Sequence, residues 1–180
     1  THASNEAAAT LSCFERRVRV PLMMSRRVLI AAGLFAVICL GLQAWSSWVL
    51  FASYDQGIFQ QVLWNRLHGH WFESTLPSQL STNAEHAGEL PSVDYERLGQ
   101  HFTPTLLLFA PLLGLLGGAA LPLAQVGLIT AAGLVLHRLA SGCLPERTAN
   151  WITYGFFGGN ALIGPTLGNF TDICQLPLAV

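Results

Sequence analysis

Residues 24–54, MSRRVLIAAGLFAVICLGLQAWSSWVLFASY, decide the fold class. Arg26 and Arg27 close a basic cluster begun by Arg16, Arg17 and Arg19, and from Val28 to Tyr54 no side chain carries a charge. An uncharged run of that length exceeds the ~20 residues a helix needs to cross the hydrocarbon core of a bilayer. Flanking arginines set the orientation of a first span, so the cluster predicts a cytoplasmic amino end and an exit on the far side after Tyr54. A secretory signal peptide also joins basic residues to an apolar core, but such cores stop at ~7–15 residues. This run ends instead in Trp45, Trp48 and Tyr54, aromatic residues of the kind that settle at a membrane interface. A signal anchor is the reading that fits.

Composition points the same way. Hydrophobic residues make up 52% of the chain and charged residues 11%, against the ~25% charged residues of an ordinary soluble domain. Soluble-enzyme readings fail on this ground. The 9 formal positive charges are all arginine, and more than half precede Val28. The net charge of −1 therefore conceals a segregation that speaks to topology rather than to partners. There is no basic patch for nucleic acid and no phosphate-binding glycine loop. Cys13, Cys39, Cys143 and Cys174 show no CxxC or Cys/His ligand spacing, and we read them as small apolar fillers.

Further along, Leu98 to Leu136 carries no fixed charge, is too long for one span, and is broken by Gly114, Gly117, Gly118 and Pro122. Two helices near 103–117 and 121–140 are expected, then a glycine-rich stretch from Ala149 to Phe170 and the start of another helix near Ile173. The expected fold is an all-α, polytopic transmembrane protein of about four spans. Its segments are a cytoplasmic basic amino-terminal part (1–27), a first span (28–52), an external loop (53–101), and spans two to four with the start of a fifth (102–180). The chain begins at Thr1 without methionine and stops at Val180 inside an apolar run, so a piece of a longer protein is expected. Full crossings by both middle helices would put Arg138 and Arg147 outside, against the positive-inside trend. Either 103–117 is re-entrant, or these arginines face outward to bind an anionic lipid; the sequence leaves both open.

The loop from Ser53 to His101 holds Asp55, Glu73, Glu85, Glu89, Asp94 and Glu96 against Arg66 and Arg97, a balance that suits a non-cytoplasmic segment. Ile58, Phe59, Val62, Leu63 and Leu67 recur at helical spacing and predict an amphipathic helix lying along the membrane surface. Ser74 to Pro91, rich in Ser, Thr, Pro and Gly, reads as a variable excursion.

YDQGIFQQVLWNRLHG (Tyr54 to Gly69) and LGQHFTPTLLLFAPL (Leu98 to Leu112) resemble the amino-terminal signature of a bacterial family of predicted polytopic membrane proteins of unknown function, itself similar to the GT-C glycosyltransferases. The resemblance covers nearly all of Val28 to Val180. It implies a multi-pass protein of the bacterial inner membrane whose first span leads into a long external loop with one or two surface helices. It further implies an acidic residue acting early in that loop, and a sugar donor carried on polyprenyl phosphate or diphosphate. Where the family usually has a phenylalanine–histidine–proline step before the fifth span, this chain reads Phe170, Thr171, Asp172. The histidine's role is therefore not carried over, while the aspartate is similar in place to a second acidic position of GT-C enzymes.

Sugar transfer needs an acceptor hydroxyl to lose its proton as its oxygen bonds to the anomeric carbon, and a carboxylate within hydrogen-bond reach can take that proton. Asp55, just past the first span, is the candidate base; the structural alternative is that Asp55 and Ser53 cap the surface helix, and one residue can do both. His101, where the loop re-enters the membrane beside Phe102 and Pro104, could bind phosphate, ligate a divalent metal with Asp55, or bond a loop carbonyl. Arg138 is a candidate for the anionic donor. Asp172 is a further substrate-site candidate, although Pro165, Asn169 and Thr171 equally suggest a wet loop. No recognised ligand spacing is present, so the cofactor is unknown, with a divalent metal as the option. The expected partners are the bilayer and a polyprenyl-phosphate-linked sugar. The rival reading is a non-enzymatic polytopic protein, such as a transporter or assembly subunit. A transporter would show discontinuous helices with polar residues at mid-membrane, for which the sequence offers Gln43, Gln125 and Asn160.

Overall fold

In the computed structural model, residues 24–49, 54–75 and 104–168 are described. Among them the chain is helical and forms no strand. Helix α1 spans Arg26–Trp48, α2 Tyr54–Leu67, α3 Ala110–Leu116, α4 Ala120–Cys143, α5 Glu146–Gly158 and α6 Asn160–Gly168. Short 310 turns, Pro104–Phe109 and Gly117–Ala119, precede α3 and α4.

Ser25 caps α1: its hydroxyl and its carbonyl both accept from the amide of Val28, satisfying a donor that has no intrahelical partner. One stripe of α1, Val28, Ala32, Phe35, Cys39 and Gln43, is buried in the bundle. The other sides expose Leu29, Ile30, Leu34, Val37, Ile38 and Leu42. In water such a surface would be far too apolar for a stable helix pair; in a bilayer it is the lipid face.

Helix α4 lies antiparallel to α1. Its first turns meet the Gln43–Trp48 end of α1, and Val126 and Ile129 pack with Phe35 and Cys39. Helices α4 and α5 form an antiparallel hairpin closed by Gly133, where an added Cβ would lie 2.4 Å from Phe157. Glycine is what lets the Phe157 ring seat against the α4 backbone. Because α5 starts beside Arg27, it runs parallel to α1. At Gly159 the helix breaks, and that residue's extended backbone (φ −73°, ψ 124°) leads straight into α6. The bundle therefore has an Arg27 end and a Trp48 end.

Two helical stretches among the described residues, Arg26–Trp48 and Thr105–Cys143, are long and apolar enough to cross a membrane. The sequence predicts about four spans, a number not confirmed among the described residues, and two of the expected segments differ from single long helices. The expected 103–117 helix is a 310 turn followed by an α-helix of 7 residues, jointly ~22 Å long by the rise of each helix type, too short for a ~30 Å core. It packs on α2 and the first turns of α4: Leu106, Ala110 and Leu113 share a core with Ile58, Phe59, Val62, Leu63, Ala120, Leu121 and Ala124. The expected span from Ala149 is split into α5 and α6. Cys39 is buried and free, as expected of a filler, whereas Cys143 is disulfide-bonded.

The amphipathic helix expected from Ile58 to Leu67 is present as α2, with its apolar face on α3 and α4. A Schellman motif ends it: the amide of His70 reaches the Asn65 carbonyl at 2.9 Å and that of Gly69 the Arg66 carbonyl at 3.3 Å, and Gly69 supplies the positive φ of 93° that the motif needs.

Candidate functional site

A cavity of about 750 Å3 opens at the Trp48 end between α1, α2 and the start of α4. Leu40, Ala44, Trp48, Ala119, Pro122 and Leu123 form its mostly apolar walls, and its polar groups are Gln43, Ser47, Gln56 and Gln60. The helix turn before α4 shapes one side. Gly117 has φ 54° and ψ −134°, a region open to glycine, and Gly118 lies so close to Gln60 that a Cβ would be 3.3 Å from its Nε2. Gln60 thus also reaches a second recess of about 370 Å3, lined with Gly57, Gln61, Trp64 and Leu113.

Helix α2 is fixed by its own carboxyl end. The Gln61 amide oxygen accepts from Ser74 Oγ at 2.6 Å and from the Thr75 amide at 3.1 Å, and its Nε2 donates to Thr75 Oγ1 at 2.8 Å. Asn65 donates to the Glu73 carbonyl at 3.0 Å. The Arg66 guanidinium stacks 3.3 Å over the Trp71 ring, a cation–π contact.

Beneath the cavity, Gln43 and Gln125 reach across to α6. Gln43 Nε2 donates to the Thr166 carbonyl, and Gln125 Nε2 to the Pro165 carbonyl at 2.8 Å. These carbonyls belong to the last turn of α6, which has no helical donors for them. Two buried amides from different helices supply what the α-helix cannot.

Nearer the Arg27 end, His137 is buried between α4 and α5. The Thr153 hydroxyl donates to the Ala149 carbonyl at 2.9 Å, so it accepts from His137 Nδ1 at 3.2 Å. His137 therefore donates from Nδ1, and its Nε2 is paired with Ser141 Oγ at 3.3 Å, so both ring nitrogens have partners.

Of the residues singled out from sequence, Asp55 is exposed in the first turn of α2, where a carboxylate also suits the helix dipole. It does not line the cavity; its neighbour Gln56 does. Arg138 is exposed near the far end of α4. Ala124 already belongs to the core under α2, and Arg138 lies about 21 Å further along the helix at 1.5 Å per residue. Asp55 and Arg138 are therefore not brought together. His101 and Asp172 lie outside the described residues. Among the described residues no three His, Cys, Asp or Glu side chains gather as a metal site would require. Sequence reasoning misses the glutamines Gln56 and Gln60; their signal is polarity on one side of a helix whose other side is apolar.

Residues 46–180 match the family model described as Predicted membrane protein (DUF2079). No curated protein and no solved structure matches.

Proposed function

The chain belongs to that family of predicted membrane proteins, and from this premise we propose that it acts on a lipid-linked substrate held in the cavity at the Trp48 end. In this reading α1 and α4 cross the bilayer in opposite directions, and α5 with α6 crosses beside them. The Trp48 end faces out and the Arg27 end lies in the cytoplasm. The arginines favour this placement: Arg138 and Arg147 fall at the same end as Arg26 and Arg27, so all follow the positive-inside trend. The segment before α4 is then the re-entrant element, packed at the outer end. The Cys143 disulfide pulls the other way, because disulfides persist chiefly in oxidising compartments; orientation is therefore the first property to measure.

The cavity carries the proposal. Its apolar walls suit a prenyl chain, and its amides and the Ser47 hydroxyl suit a polar head. As a GT-C-type glycosyltransferase, the protein breaks the bond between the donor's anomeric carbon and its phosphate oxygen, and the electron pair leaves on the phosphate. The acceptor oxygen bonds to that carbon, and its proton passes to Asp55. A reacting sugar has to project past Gln56 to reach that carboxylate. His101 and Asp172 are proposed contacts of the donor, with or without a divalent metal; Arg138 serves no part of this site. Asp55→Asn is expected to abolish sugar transfer from a polyprenyl-phosphate donor at unchanged yield of folded protein. Gln60→Leu is expected to raise the donor's apparent KM. Full activity of Asp55→Asn removes the base assignment.

One observation favours the second reading. The break at Gly159, with Gln43 and Gln125 on the carbonyls beyond it, is the interrupted helix with interior polar groups that transporters use. Solute uptake by proteoliposomes, lost in Gly159→Leu and intact in Asp55→Asn, would select the transporter.

A further inference from the structure

A separate recess lies at the opposite end, about 400 Å3, formed by Arg27 of α1 with Glu146, Arg147, Asn150, Trp151 and Tyr154 of α5. Its charges are not paired with one another. Among the described residues the one ion pair within bonding distance is His70–Glu73, so neither arginine here is neutralised by Glu146. Asn150 Oδ1 is buried and has no hydrogen-bond partner, although a buried acceptor without a donor is costly. The arginines come from two different helices and stand at the first turns of both, which in the membrane placement proposed above is the depth where a bilayer changes from hydrocarbon to headgroup. Trp151 and Tyr154 add rings in edge-to-face contact, 5.8 Å apart.

From this set we propose that the recess binds a phospholipid headgroup carrying both a phosphate and an ammonium, of the phosphoethanolamine kind. Two guanidinium groups are the usual partners of a phosphate, each offering paired donors. A phosphate alone does not account for the rest: Glu146 would repel it, and the Asn150 oxygen would stay without a donor. An ammonium about one ethylene unit from the phosphate answers both, donating to Glu146 and to Asn150 Oδ1 and lying against the aromatic faces. A purely anionic headgroup leaves those acceptors idle. The neighbouring apolar surface of α1, with Leu29 and Ile30 exposed, gives the acyl chains their place, which is why a lipid rather than a soluble phosphoester is the occupant.

The test uses the full chain in detergent, with lipids added in turn and bound lipid read by native mass spectrometry. Short-chain phosphatidylethanolamine is expected to be retained in preference to phosphatidylglycerol and phosphatidylcholine. Arg27→Gln with Arg147→Gln is expected to weaken its retention about tenfold or more, as the loss of charge-assisted hydrogen bonds would. Glu146→Gln is expected to erase the preference for ethanolamine over glycerol while keeping phosphate-dependent binding. Should the double variant unfold, the exposed Arg147→Gln alone serves. Equal retention of all headgroups, or no change in the arginine variants, overturns the site. A preference for phosphatidylglycerol that survives Glu146→Gln overturns the ammonium assignment. Free O-phosphoethanolamine displacing the lipid at equal concentration overturns the lipid as occupant.

Discussion

The two ends of the bundle handle polarity in opposite ways. At the Trp48 end the cavity is larger, apolar-walled and lined by neutral amides, and the buried glutamines are consumed by main-chain carbonyls. At the Arg27 end the recess is about half that volume and holds fixed charges of both signs, with no ion-pair partner among the described residues. Neutral amides can be buried because hydrogen bonds satisfy them, whereas unpaired charges must stay where water or headgroups reach. The first end is therefore structural in its depth and available for a ligand at its mouth. The second contributes little to folding and is free to bind.

Removing the amides is the largest expected blow to that contrast. Gln43→Leu with Gln125→Leu removes the side-chain donors to two α6 carbonyls, each loss costing ~1–3 kcal/mol, so thermal denaturation in detergent should shift clearly downward. An unchanged transition would mean that the amides are not what holds α6. Between the ends, Gly133→Ala pushes a methyl into Phe157, and overpacking of this kind costs about 1–3 kcal/mol; the same denaturation assay checks it, and Phe157→Leu should restore part of the loss. Gly69→Ala, at a φ of 93°, should cost about 1 kcal/mol and loosen the carboxyl end of α2, seen as faster proteolysis after Arg66. The smallest effect belongs to the charged end: Arg27→Gln with Arg147→Gln should change stability by less than about 0.5 kcal/mol, as surface substitutions usually do. A large loss there would erase the distinction between the ends.

Helices α1 and α2 are legible in the amino-acid sequence. The charge gap after Arg27 marks the first and the period of Ile58, Phe59, Val62 and Leu63 the second, because lipid and core both demand apolar stripes of known spacing. The partner of the α2 stripe is not legible: the same apolar face suits a membrane surface or a neighbouring helix, and here it takes Leu106, Ala110 and Leu113. Hydropathy also does not distinguish a span from a piece too short to span, since Pro104–Leu116 is as apolar as α4. Gly117 and Gly118 mark a break without saying which way the chain turns. At the sites, Asp55 stands out because charge is rare here, yet the groups lining the cavity are glutamines, whose chemistry in a sequence is ambiguous. Gln43 and Gln125 are visible as polar residues deep in spans, but their partners are main-chain carbonyls that no sequence pattern names.

Whether the two ends face opposite sides of a membrane is tested most directly by paired cysteine labelling. On a background with the native cysteines replaced, His70→Cys marks the Trp48 end and Thr148→Cys the Arg27 end, both at exposed positions. In intact cells an impermeant thiol reagent is predicted to label the first at once and the second only after lysis. Labelling of Thr148→Cys in intact cells, with His70→Cys protected, would reverse the orientation and place the charged recess outside; equal labelling of both would contradict a membrane-spanning bundle altogether.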